Sequence, residues 1–159
     1  MTGLDVGIAQ AVFGDHLGYD CEVIQTSFDT IIPSLNNGNF RVIMSAMTIN
    51  DERDEEVDFS DPYFTAYQTV LVRADSSISS RADLEDEVEG VQKGTTGAGA
   101  AEEIKEEFGG SLEIKRYDQI NGAFQALTNG QVNAVINDNT VNPERANQDD
   151  SLRFVEREV

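Results

Sequence analysis

A chain of 159 residues is long enough for one domain or two small lobes, and a hydrophobic content of 39% is enough to pack a core. Thirty acidic residues against eleven basic ones give a net charge of -19, which disfavours nucleic acid and anionic lipid as partners, since both are recognised by clustered Lys and Arg. The acids run from Asp5 to Glu158 interleaved with apolar positions, so they describe a solvated surface rather than an acidic tail, and their mutual repulsion points to a salt-loving source organism.

The opening MTGLDVGIAQ has neither a basic region nor a long apolar core, so no leader is expected in this chain, and no apolar run approaches the roughly 18 residues of a membrane span. From Asp5 to Leu17, Leu4, Ile8, Ala11 and Val12 recur at helical spacing, with Gly18 as terminator. Cys21 to Thr26 alternates as a strand, with Cys21 expected as a small buried residue. One Cys, and one His placed in another element, leave no basis for a disulfide, a thiolate catalyst or a zinc site, so no metal and no cofactor are expected. A short helix follows from Ser27 or Asp29 through Leu35, with Pro33 near its first turn and Gly38 closing it.

Arg41 to Ala46 reads as a strand, and the charge-rich Asp51 to Asp58 as a solvated turn in which Arg53 is the exception. Ala66 to Arg73 is a strand, Arg81 to Glu87 a short helix, and Val88 to Gln92 a strand. Gly94-Thr95-Thr96-Gly97 then opens a helix from Ala98 to Phe108. Strand Leu112 to Tyr117, an amphipathic helix from Ile120 to Leu127 ending at Gly130, strand Val132 to Ile136, a helix from Val141 to Asn147 and strand Leu152 to Val155 complete the chain. Short-range alternation of strands and helices predicts an α/β fold with a mainly parallel, helix-covered sheet.

In open α/β sheets ligands gather beyond the carboxyl ends of strands. That rule selects Phe28, the turn Ala46-Met47-Thr48 with Arg53, the turn Thr95-Thr96-Gly97, and Asp138. A guanidinium fork matches a carboxylate bidentately, and a glycine-rich turn into a helix N-terminus favours an anion. Asp138 suits an ammonium and Phe28 offers an aromatic face, so the set fits a free α-amino acid, and it is a binding constellation rather than a catalytic one. Each residue also has a plainer role: Arg53 as a surface partner of Glu52, Glu55 or Glu56, Thr95 and Thr96 as helix caps, Asp138 as a cap, and Phe28 as core or staple.

The segments from Thr26 through Pro33 with Leu35 and Gly38, then SAMTINDER, VDFSDPY, VQKGTTGAGA and AFQALTNGQVNAVINDN, resemble in order and spacing the polar amino-acid-binding proteins of ABC transporters, the family 3 extracellular solute-binding proteins. The resemblance implies a two-lobed periplasmic-binding-protein type II fold: lobe 1 at residues 1–63, a hinge strand at 64–68 and lobe 2 at 69–159. It implies that Arg53 clamps the ligand carboxylate with Thr48 and Thr96. The Ala46 carbonyl and Asp138 would receive the ammonium, Phe28 would stack on the side chain, and Gln92 and Asn137 would line the specificity pocket. It further implies an extracytoplasmic, membrane-tethered full-length protein that captures a polar, glutamine-like amino acid in an interlobe cleft and delivers it to a permease. A dehydratase on the same scaffold and the ligand-binding domain of a membrane sensor are the alternatives.

Two departures from the family pattern stand out. The chain starts at the GLDVGIAQA helix and stops at Val159, so lobe 1 is expected to be incomplete at both chain ends, with self-association through its unpaired edges. Ala46 stands where glycine is common in the family.

Overall fold

The computed structural model describes residues 3–155; the ends of the two expected lobes, residues 1–2 and 156–159, lie outside it. The chain divides into two compact units, Met1–Phe64 and Thr65–Val159.

Unit 1 is helical and irregular. Helix α1, Leu4–Ala9, runs on into a wider π-helical turn, Gln10–His16, in which the Leu17 amide donates to the Val12 carbonyl at 3.1 Å. Phe28–Thr30 forms a 3-10 turn leading into α2, Ile31–Asn36, and Gly38 leaves it at φ 75°, a left-handed conformation that glycine adopts without steric cost. α3, Asp51–Asp54, is a single turn whose N-cap is Asn50.

Neither expected strand of this unit forms: Cys21–Thr26 and Arg41–Ala46 carry the apolar pattern but join no ladder among the described residues. Apolar alternation makes a strand only where neighbouring backbone takes up its amides and carbonyls. Cys21 is accordingly exposed rather than buried in a strand. Leu4, Val12, Leu17, Val23, Ile24, Val42 and Ile49 are exposed as well, and among the described residues of unit 1 the buried side chain is that of Arg53.

Unit 2 is a five-stranded sheet covered on both faces. Its strands are β1 (Gln68–Arg73), β2 (Val88–Gln92), β3 (Glu113–Tyr117), β4 (Ala134–Asp138) and β5 (Leu152–Val155), in the order β3-β2-β4-β1-β5. β2 runs parallel to β3 and β4, whereas β1 is antiparallel to both β4 and β5. Four strands therefore point one way and β1 is reversed, so the sheet is mixed rather than wholly parallel. Helical crossovers α4 (Thr96–Glu107), α5 (Ile120–Thr128) and α6 (Asn142–Gln148) join the like-directed strands. Only a connection holding the 3-10 turn Arg81–Leu84 separates β1 from β2.

Alternation along the strands sorts the core into two layers. Val70, Val72, Val91, Ala134 and Ile136 face α4 with Ala101 and Ile104. Leu71 and Val135 lie on the other face with Ala123, Phe124 and Leu127 of α5. On that second side Asn142, fully buried at the start of α6, donates to the carbonyls of Thr69, Val135 and Asn137 and to the Thr69 hydroxyl. β4 starts and ends two residues later than its apolar run suggested, so Asn137 and Asp138 belong to the strand rather than terminating it.

Candidate functional site

In unit 1 the sequence SAMTINDER becomes a cradle for one cation. The Asn50 side chain accepts from the Arg53 amide at 2.9 Å, which fixes the turn of α3 and the direction in which Arg53 leaves it. Arg53 Nη1 donates to the Thr48 carbonyl at 2.8 Å, and its guanidinium lies 5.4 Å from the centroid of the Phe28 ring. With only 9% of its surface exposed, Arg53 is a buried cation rather than a solvated surface one. Thr48, Arg53 and Phe28 are therefore brought together, with Met47 half-buried beside them in the chain.

Ala46 adopts φ 44°, a left-handed conformation that costs an L-residue about 1–2 kcal/mol and that glycine takes freely. The structure thus shows why glycine suits this position. Tyr63, at the end of VDFSDPY, donates its hydroxyl to Asp5 of α1 at 2.8 Å. Burial first, then the Asp5 carboxylate, push Tyr63 up to about 12.

In unit 2 the expected residues lie at or just beyond the carboxyl ends of the interior strands β2 and β4. Thr95 caps α4: its hydroxyl accepts from the Ala98 amide at 3.2 Å and donates to the Gln92 carbonyl at 2.8 Å. The plainer reading of Thr95 as a helix cap is thus what the geometry shows. Gly97 is buried against β4, where an added Cβ would sit 2.9 Å from the Ile136 carbonyl oxygen. Thr96 and Asp138 are joined through a residue the sequence reading did not select: Gln68 Nε2 donates to Thr96 Oγ1 at 3.1 Å and to Asp138 Oδ1 at 2.6 Å. Gln68 opens β1 and is paired with Asp138 across the antiparallel ladder.

The remaining two expected residues lie apart from that bridge. Gln92 is half-buried at the end of β2 and donates to the Asp118 carbonyl at 3.3 Å. Asn137 is buried; its side-chain oxygen accepts from the Asp138 amide at 2.8 Å, and strand alternation turns it to the face of Val135 rather than that of Asp138.

Residues 1–99 match the family described as bacterial extracellular solute-binding proteins, family 3. The chain belongs to this family. It is 38% identical over 159 residues to the glutamine-binding protein of Geobacillus stearothermophilus, covering 98% of this chain and 59% of that protein. An ancestral arginine-binding protein bound to glutamine aligns at 35% identity and a TM-score of 0.90, over 98% of this chain and 68% of that one. The ancestral amino acid-binding protein AncCDT-1, a precursor of cyclohexadienyl dehydratase, aligns at 38% identity and a TM-score of 0.89, over 98% and 67%. This family 3 chain thus spans 59% of the length of its Geobacillus relative. The match to residues 1–99 covers SAMTINDER and VDFSDPY, and the longer alignments carry the likeness through AFQALTNGQVNAVINDN.

Proposed function

We propose that this chain binds a free polar amino acid, glutamine-like in its side chain, and that the full-length protein delivers it to an ABC transporter permease. The observation that carries this reading is the guanidinium held between the Thr48 carbonyl and the Phe28 ring, a fixed fork of the kind that takes a carboxylate bidentately. Arg53, with the amide and hydroxyl of Thr48 and with Thr96, takes the ligand carboxylate. Asp138 and the Ala46 carbonyl take the ammonium, Phe28 packs on the side chain, and Gln92 borders it. Asn137 supports the end of β4 next to Asp138.

Residues 1–63 act as one lobe, 64–68 as the hinge strand and 69–159 as the second lobe. The full-length protein works outside the cytoplasm, tethered to the membrane, and performs no chemistry on its ligand. Against a dehydratase, AncCDT-1 is itself described as an amino acid-binding protein, and Asp138, the candidate general acid, already has a binding role. The exposed apolar side chains of unit 1 favour association with a second copy.

A thermal-shift screen of the twenty amino acids at high salt is expected to show stabilisation by a polar member such as L-glutamine or L-arginine, because a ligand that binds only the folded state raises the melting temperature. Calorimetry on Arg53→Ala is expected to show a loss of about 2–5 kcal/mol, the range for removing one partner of a buried charge pair. Unchanged affinity in that variant sinks the carboxylate assignment. Light scattering is expected to show a species larger than the monomer; a strict monomer at all concentrations removes the self-association.

A further inference from the structure

We propose that Gln68 is a positioning residue for ammonium recognition: its side-chain amide ties the Asp138 carboxylate to the Thr96 hydroxyl at the end of the β1/β4 ladder. The proposal rests on the reading of Asp138 as the ammonium acceptor.

The reversal of β1 makes this possible. Because β1 runs against β4, its first residue rather than its last stands beside the carboxyl end of β4, in register with Asp138. Gln68, Val70 and Val72 alternate onto the face covered by α4, so the Gln68 side chain reaches the first turn of that helix, where Thr96 is.

The orientation of the amide follows from the same contacts. An ionised carboxylate only accepts, so Nε2 must be the atom on Asp138, and the bond to a charged acceptor is the stronger of the pair. Oε1 is then forced the other way, where it is buried without a hydrogen-bond partner. It lies 3.0 Å from the point a Gly97 Cβ would occupy, so the missing side chain at Gly97 is what admits it. Leaving a buried acceptor unmade is unfavourable, and the contact to Asp138 is what offsets it. A carboxylate offers about four lone-pair sites. The Gln68 amide hydrogen takes up one of these on Oδ1 and so fixes the direction in which the Asp138 carboxylate faces.

The test compares L-glutamine with glutaramate, the same molecule without its ammonium, and in parallel L-arginine with 5-guanidinopentanoate, by titration calorimetry on the full chain. Gln68→Met keeps the volume and removes the amide. The parent is expected to prefer the amino acid over its deaminated analogue, and Gln68→Met to cut that preference about tenfold, the scale of a charge-assisted hydrogen bond, beyond any loss that both ligands share through Thr96. Equal losses for amino acid and analogue show a merely structural role and overturn the proposal, as does an unaltered preference. A parent without preference refutes the ammonium reading of Asp138 and with it this inference. The bridge itself is read separately, without ligand, from the Gln68 side-chain amide resonances, which are expected to move in Asp138→Asn. Resonances that stay in place overturn the bridge whatever the ligand result.

Discussion

Glu89 is the residue whose environment departs furthest from its chemistry. It sits in β2 with no exposed surface, on the face of Val91, and neither carboxyl oxygen has a hydrogen-bond partner. Burial pushes it up to about 8, with the Arg81 guanidinium opposing the shift. The folded state therefore holds a proton that the unfolded chain releases above the ordinary value of 4.5. Its stabilising contribution is complete below about pH 4.5, falls as pH rises, and is spent once pH passes about 8. Asp83 and Asp149 are held below the usual carboxylate range by hydrogen bonds from Ser79 and Ser151, so their contribution is present above pH 3.8 and lost below it. The window from pH 5 to 8 thus isolates Glu89. The unfolding free energy from urea titrations is expected to fall across that window, by a few kcal/mol at most on the order set by about 1.4 kcal/mol per pK unit, and Glu89→Gln is expected to flatten the slope. A parent whose midpoint rises from pH 5 to 8 contradicts the assignment. Composition gives no hint of this residue, because an acid in a strand reads as an outward position until the helix covering that face is known.

At the scale of elements, the local signals were strong wherever one segment settles its own conformation. β2 and β5 were legible to the residue, and the glycine-threonine turn before α4, the amphipathic α5 and the closing Gly130 were each read correctly from periodicity and caps. What failed depends on partners elsewhere in the chain. The direction of β1 is a property of the ladder, not of AYQTVLVR, and a mainly parallel sheet points to the last residue of each strand rather than to Gln68, the first of the one reversed strand. The unformed strands of unit 1 failed for the same reason, since nothing in CEVIQT or RVIMSA states whether a neighbour will be there. Of the residues proposed for ligand binding, motif spacing names Arg53, Thr96 and Asp138, whereas nothing in the sequence names Gln68, which bridges the last two. The close seat of α4 on β4 makes a prediction of its own. Gly97→Ala drives a methyl group to 2.9 Å from the Ile136 carbonyl oxygen and 3.0 Å from Gln68 Oε1. The first turn of α4 must lift, at an expected cost of about 1–3 kcal/mol for overpacking. Chemical denaturation measures that cost, and an unchanged midpoint shows that the helix has room the geometry denies it.

For the molecule as a whole, charge is the dominant constraint. Ion pairs such as Arg81–Glu107, Lys93–Asp118, Arg116–Glu102 and Arg145–Asp149 each neutralise one acid, but thirty acids face eleven basic side chains, so pairing cannot discharge the surface. The residual like charge favours expansion, and it acts over a Debye length of about 10 Å at 0.1 M salt but only about 3 Å at 1 M. The melting temperature is therefore expected to rise steeply with sodium chloride at low concentration and to level off near 1 M, where screening is nearly complete. Excluded kosmotropic salts such as sulfate act on apolar burial instead and keep adding stability beyond that point. Glu103 and Glu106 lie exposed and one turn apart on α4, a like-charged pair at the spacing where helix side chains meet. Replacing both with Lys is expected to raise the melting temperature in 0.1 M salt and to shrink its rise toward 1 M, because the substitution supplies in fixed positions what the salt supplies in solution. A parent whose melting temperature is flat in sodium chloride, or a double variant that keeps the full salt response, shows that self-repulsion does not set the stability of this chain.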